Sequence, residues 1–161
     1  MDGELIAVGI ARAGISRPPQ RLAAYALGSC VAICLHDRKA QVAGMAHILL
    51  PDSGIAAGPD NPYKFADSGL EALICEMRRC GAQRNRLRAK LAGGAEMFGA
   101  LYAKTGGIGE KNSAAAQRAL MRCGIPLVAQ DVGADYGRTI IFSAQTGLLT
   151  VRSIRYGELT I

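Results

Sequence analysis

Two β-prone apolar runs, 31–37 and 41–50, flank a polar Arg38-Lys39 pair, and this pattern predicts a hairpin. Before it, positions 4–11 alternate enough for a strand. Arg17-Pro18-Pro19-Gln20 breaks the chain, and 22–27 resumes it. Positions 51–63 are loop, with Gly and Pro throughout. Leu70, Leu73, Ile74 and Met77 then recur at helical spacing and predict a helix over 65–81. Asp67 near its start and Arg78 and Arg79 near its end suit the helix dipole, and Gly81 ends it. A short strand over 87–91 runs into Gly93-Gly94. A second amphipathic helix starts at Glu110 or Asn112 and runs to Cys123, closed by Gly124. A strand over 125–132 and a hairpin of 139–144 and 148–154 around Gln145-Thr146-Gly147 complete the chain. Strands that precede, separate and follow about two helices fit an α+β layered domain with a mixed β-sheet.

The hairpin carries the chemistry. If its turn centres on Arg38-Lys39, Asp37 faces Ala40 and Cys30 faces His47 on one face of the sheet, with Cβ atoms roughly 5 Å apart. Val31, Ile33 and Leu35 then lie on a wholly apolar face opposite Ala46, Gly44 and Val42. Cys30, Ala32, Cys34 and His36 share a more polar face with His47, Met45, Ala43 and Gln41. A one-residue slip would separate Cys30 from His47. The Arg-Lys turn lacks the Gly or Asn that two-residue turns favour. A four-residue loop keeps the register and a three-residue loop destroys it. A thiol needs a base beside it to be a useful nucleophile near neutral pH, and His47 is placed to be that base.

Composition narrows the field. The chain has 161 residues, half of them hydrophobic and a fifth charged, which suits a single domain over 1–161 with a sizeable core. No apolar stretch approaches the ~20 residues of a membrane span. The N-terminus lacks a signal-peptide core, which points to the cytoplasm. Absent Trp and scarce aromatics argue against a base-stacking nucleic-acid surface.

The five cysteines have no Cys-x-x-Cys spacing and His is too scarce for a zinc set, so no metal is expected. Cys75, Cys80 and Cys123 read as small core hydrophobes, Cys34 as structural or site-lining, and His36 as structural or surface. The net charge is +6, with a basic stretch at Arg78, Arg79, Arg84, Arg86, Arg88 and Lys90. It is a solvated helix end and loop or an electropositive surface for an acidic partner, with nucleic acid a distant third. Gly93-Gly94 and Gly106-Gly107-Ile108-Gly109 lack the spacing of a phosphate loop and instead shape a cleft wall, so no cofactor is expected.

Several segments together resemble the chemoreceptor glutamine deamidase (CheD) family. They are Leu27-Gly28-Ser29-Cys30-Val31, Gly44-Met45-Ala46-His47-Ile48-Leu49-Leu50-Pro51, Lys64-Phe65-Ala66-Asp67, Ala89 through Phe98, and Ile108-Gly109-Glu110-Lys111-Asn112. Asp131-Val132-Gly133, Gly137-Arg138 and Thr146-Gly147 also fit. Lys111 stands where the family usually has Arg. Each motif is weak alone, but their order over roughly residues 5 to 155 is specific.

The resemblance implies a layered α/β sandwich with helices packed outside and a Cys–His centre. It implies a cytoplasmic amidohydrolase that converts glutamines of methyl-accepting chemotaxis receptors to glutamate. It also implies binding of a CheC-type phosphatase in organisms that have one. By position, Cys30 matches the nucleophile and His47 the general base. The family's third catalytic residue is a threonine, but Ala24 stands there. A backbone carbonyl or another side chain then orients His47, or activity is reduced. Ser29 is a turn residue or lines an oxyanion hole. The rival reading is a non-catalytic regulatory module that binds a chemotaxis phosphatase or receptor helices. A third, a redox sensor pairing Cys30 with Cys34, needs a strained same-strand disulfide.

Overall fold

A computed structural model describes residues 3–55, 60–97 and 106–161. Met1, Asp2, positions 56–59 of the first loop and Phe98 of the glycine-pair segment lie outside the described residues. The strands are β1 (Leu5–Ala7), β2 (Arg12–Ser16), β3 (Arg21–Leu27), β4 (Val31–Asp37), β5 (Val42–Ile48), β6 (Arg88–Gly93), β7 (Leu127–Val132), β8 (Arg138–Ser143), β9 (Leu149–Ser153) and β10 (Gly157–Thr160). The helices are α1 (Ala66–Arg79) and α2 (Ile108–Arg122).

The strands form two five-stranded sheets, ordered β1-β3-β8-β9-β10 and β2-β5-β4-β6-β7. Each is mixed: β1 runs parallel to β3 and β7 parallel to β6, while the remaining pairs are antiparallel.

Two cores define three layers. Val31, Ile33, Leu35, Val42, Ala46 and Ile48 pack against the buried stripes of α1 and α2. Cys30, Ala32, Cys34, Ala43, Met45 and Ala92 pack instead against Leu22, Ala24, Leu27, Ile140, Phe142 and Leu149 of the other sheet. The second sheet is therefore covered on both faces, and every residue of β4 and β5 is buried. The face expected to be more polar is the inter-sheet core. The apolar character of both faces follows from this double burial, as in any strand without a solvent side.

The α+β layered class, with helices packed outside, is the observed one. Three elements differ from the sequence expectation. The strand expected over 4–11 is the shorter β1 alone; a turn at Ile10-Ala11, where Ala11 has φ +57°, follows it, and β2 begins beyond the expected span, in the other sheet. The exposed edge strand β10 has no apolar alternation to announce it. Cys75 is exposed rather than buried, because α1 turns that position to solvent, while Cys80 and Cys123 are half-buried.

The hairpin turn is a four-residue loop, Arg38 to Gln41, with Asp37 opposite Val42 rather than Ala40; contrary to expectation, a four-residue loop does not keep the register but shifts it by two, preserving only which face each residue takes. Asp37 makes this loop. Its Oδ1 accepts from the Ala40 N–H at 3.0 Å, and Gln41 takes a left-handed φ of +54°. The same carboxylate, fully buried, accepts the Gln83 N–H at 2.8 Å and an ion pair from Arg86 at 2.9 Å. Burial alone would raise its pKa, but the Arg86 hydrogen bond and the two backbone donors bring it down to about 2. Arg86 of the basic stretch is thus spent on the fold, and Arg79 pairs with Glu76 one turn back on α1.

Candidate active site

The observed register places Ala32, not Cys30, directly opposite His47. Cys30 lies two residues before Ala32, so it stays on the same face and becomes the diagonal neighbour of His47. Diagonal pairs are roughly 7–8 Å apart in the backbone, still within reach of longer side chains. The shift by two preserves the facing that the chemistry needs, and direct opposition is lost.

Both side chains are buried, with Cys30 7% and His47 2% exposed, and Cys30 belongs to the inter-sheet core. His47 Nδ1 lies 3.0 Å from the Val8 carbonyl. A carbonyl only accepts, so Nδ1 carries the proton and Nε2 presents a lone pair. Nε2 is buried with no hydrogen-bond partner among the described residues. Val8 is itself anchored, its N–H donating to the Ala23 carbonyl at 2.7 Å as β1 continues along β3. A strand of one sheet thereby fixes the imidazole of the other.

Ala24 is fully buried on β3, paired with Ile140. It offers no hydroxyl, and Val8 supplies the orienting acceptor instead. Of the alternatives open in the sequence, the backbone carbonyl is the one observed.

Burial pushes the Cys30 thiol above its usual pKa, against a smaller pull from its own backbone N–H. Burial also pushes His47 below the usual imidazole value, against the Val8 hydrogen bond. Both shifts favour the uncharged forms, a thiol at Cys30 and a neutral imidazole at His47. A thiolate stabilised by His47 in the resting state, the simplest expectation from the pairing, is not what this environment favours.

The bend ahead of β4 is held at each of its three carbonyls. Gly28 O accepts from Ala95 N–H at 2.9 Å, Ser29 O from the Asn112 side chain at 2.9 Å, and Cys30 O from Gly94 N–H at 2.8 Å. Gly93 must be glycine here: its φ is +108°, and a Cβ would lie 2.3 Å from the Cys30 carbonyl oxygen. Arg138, almost fully buried, supports this wall from below. It bonds the Asp131 carboxylate at 3.1 Å and the Gly133 carbonyl at 3.0 Å, while Gly133 N–H donates to Gly93 O at 2.9 Å. The glycine pair therefore shapes the wall beside Cys30. Ser29 contributes its carbonyl to the bend.

Asn112 and Arg138 stood in recognised motifs without a role. Their signal was available: a fully buried Asn on a helix stripe of alanines, and a buried Arg on a strand, each demand partners. Cys34 is fully buried with its pKa pushed well up by burial, and His36 donates from Nε2 to the Ala144 carbonyl at 2.9 Å. Both are structural by these contacts. Beside the bend runs a mainly apolar groove of about 940 Å³, lined by Ala26, Met97, Tyr136, Arg152 and Ile154 among others. Ile154 is fully exposed in it and Met97 half-exposed.

A buried cysteine on a fixed bend and an oriented imidazole on the neighbouring strand belong to the inner sheet of a β/β/α layered fold. The family model for CheD chemotactic sensory transduction matches residues 49–153. A probable chemoreceptor glutamine deamidase CheD of Caldanaerobacter subterraneus is 45% identical, covering 98% of both chains. One of Desulfitobacterium hafniense is 46% identical, again over 98% of both. The chain belongs to the CheD family. Among solved structures, a Neisseria meningitidis protein of the DUF152 family has a TM-score of 0.50 at 14% identity, over 81% of this chain and 64% of that one. That likeness concerns the fold alone. No helix among the described residues is long and apolar enough to cross a membrane.

Proposed function

We propose that this chain, acting as one domain over 1–161, is a protein-glutamine deamidase that converts glutamine side chains of chemotaxis receptors to glutamate and releases ammonia. The observation that carries the reading is the oriented His47. Its Nδ1 is committed to Val8, so its Nε2 lone pair is free to take a proton on the face it shares with Cys30. Family membership supplies the substrate class, since its relatives are named chemoreceptor glutamine deamidases.

Each step uses these groups. His47 Nε2 takes the thiol proton as Cys30 Sγ bonds to the glutamine Cδ, and the carbonyl electrons move onto oxygen. The backbone N–H of Cys30 stabilises that oxyanion. The oxyanion collapses, the C–N bond breaks, and His47 returns its proton to the departing ammonia. Water then gives a proton to His47 and attacks the thioester. The C–S bond breaks and His47 returns that proton to the sulfur, leaving the new carboxyl group of glutamate and the thiol. Concerted proton transfer suits a pair that rests neutral, because no buried charge has to persist between turnovers.

The apolar groove beside the bend is where a receptor helix docks, in the cytoplasm, and a CheC-type phosphatase is a second partner in organisms that have one. The non-catalytic reading drew on the missing hydroxyl at Ala24, and the Val8 carbonyl removes that motive. The test is incubation with the cytoplasmic domain of a chemoreceptor from the same organism, followed by peptide mass spectrometry. Glutamine-to-glutamate conversion at particular sites is expected. Tight binding with no conversion on any receptor would favour the regulatory module.

A further inference from the structure

The Asn112 side chain has no role in the steps above, yet it is fully buried and bonds the segments that flank both strands, one before β4 and one after β5. Its Nδ2 donates to the Ser29 carbonyl at 2.9 Å and to the Leu49 carbonyl at 3.0 Å. Ser29 immediately precedes Cys30, and Leu49 follows His47 by two residues. Its Oδ1 is buried with no partner among the described residues. An amide held only through its donors, with its acceptor left over, is retained for what the donors do.

The Ser29 bond has a directional consequence. In a trans peptide the C=O of one residue and the N–H of the next point in opposite directions. Ser29 C=O and Cys30 N–H belong to one such plane. Drawing that carbonyl inward to α2 turns the Cys30 N–H the opposite way, away from α2. Among the described residues, no backbone or side-chain acceptor of another residue takes the Cys30 N–H. The donor is left open on the side where the thiol attacks. The seat of α2 is built for this approach, since a Cβ on Gly109 would lie 2.3 Å from the Ala95 carbonyl oxygen.

We propose that Asn112 is a positioning residue that sets the oxyanion hole: by fixing the Ser29–Cys30 peptide plane it aims the Cys30 N–H at the oxygen of the reacting carbonyl. It rests on the reading of Cys30 as the nucleophile. It predicts a selective defect. Attack on a carbonyl develops an oxyanion, whereas alkylation by iodoacetamide does not.

The experiment compares two reactions at Cys30 in wild type, Asn112→Ala and the near-isosteric Asn112→Asp, which has no N–H to donate. One is acylation by p-nitrophenyl acetate, in which the C–S bond forms and p-nitrophenolate leaves. The other is alkylation by iodoacetamide, in which the C–S bond forms and iodide leaves. In both variants acylation should fall about 10- to 100-fold relative to alkylation, in the range seen when supporting residues of a site are removed. For deamidation kcat should fall by a similar factor with KM little changed. Equal effects on both reactions would overturn the proposal and make Asn112 a structural residue.

A second measurement needs no variant. A peptide aldehyde adds to Cys30, the thiol proton passing to the carbonyl oxygen or to His47, and mimics the tetrahedral adduct. The Cys30 amide proton should move downfield in the NMR spectrum of the adduct, and an unmoved resonance would overturn the proposal. Failure of the catalytic reading looks different: Cys30→Ala would then leave deamidation intact, whatever Asn112 does.

Discussion

The Nδ1–H of His47 is donated to the carbonyl of Val8 at 3.0 Å, across the boundary between the two sheets. This bond gives the imidazole an acceptor that does not depend on a hydroxyl at position 24. A hydroxyl there would compete for an N–H that already has an acceptor. Ala24 is also fully buried between the sheets, so a larger side chain must displace neighbours. Ala24→Thr is expected to cost about 1–3 kcal/mol of stability, as overpacked cores do. It should leave kcat on a receptor domain within a few-fold. A rate rise well beyond that, with unchanged stability, would mean that the carbonyl orients the ring poorly.

The neutral resting pair sets a pH dependence. The folded-state pKa of His47 lies below its unfolded value, because burial opposes charging. The unfolded chain therefore takes up this proton first. Stability is complete above the ordinary imidazole pKa of ~6.5 and declines as pH falls from there through the folded value. Cys30 behaves oppositely: its folded pKa is raised by burial. Its contribution is complete below the ordinary thiol pKa of ~8.5 and is lost as pH rises through the folded value. Cys34, raised for the same reason, adds to the alkaline loss. Urea midpoints measured across pH should peak between these limits. Alkylation of Cys30 should titrate above an ordinary thiol, and a midpoint below that would indicate a thiolate–imidazolium pair at rest.

Asp37 governs the hairpin on which the site depends. With a folded pKa of about 2, it supports the fold fully above the usual carboxylate range, ~4, and loses that support as pH falls toward the folded value. Asp37→Asn keeps the shape but removes the charge from its hydrogen bonds with Arg86. A loss of about 2 kcal/mol is expected by chemical denaturation, in line with hydrogen bonds to charged groups. It should also weaken the acid dependence. An unchanged acid limb would assign that dependence elsewhere.

Much of this was legible in the chain, and the misses have physical causes. The helix stripe of Leu70, Leu73, Ile74 and Met77 followed from periodicity, because it buries one face, and β4 from a short β-prone apolar run, as a strand buried on both faces reads. The hairpin register was off by two residues because a side chain, Asp37, shapes the turn where no Gly or Asn marks it. The facing of Cys30 and His47 survived because a shift by two preserves the pleat. The cover over that face was not legible, since the residues that pack on it come from a second sheet whose strands lie on both sides of the hairpin in sequence. Asn112 and Val8 act at separations of 83 and 39 residues from the groups they hold. No local pattern encodes such contacts; an unexplained buried polar residue is their only trace.

The central proposal is that Cys30 is the reacting group, and one comparison tests it most directly. Wild type and Cys30→Ala are incubated with the same receptor cytoplasmic domain, and each glutamine-containing peptide is scored for conversion by mass spectrometry. Cys34→Ala and Cys75→Ala serve as thiol controls, one buried on the same face and one exposed on α1. Conversion by wild type and Cys75→Ala, with none by Cys30→Ala at the same folded concentration, is the predicted result. Conversion by Cys30→Ala at the wild-type rate would contradict it.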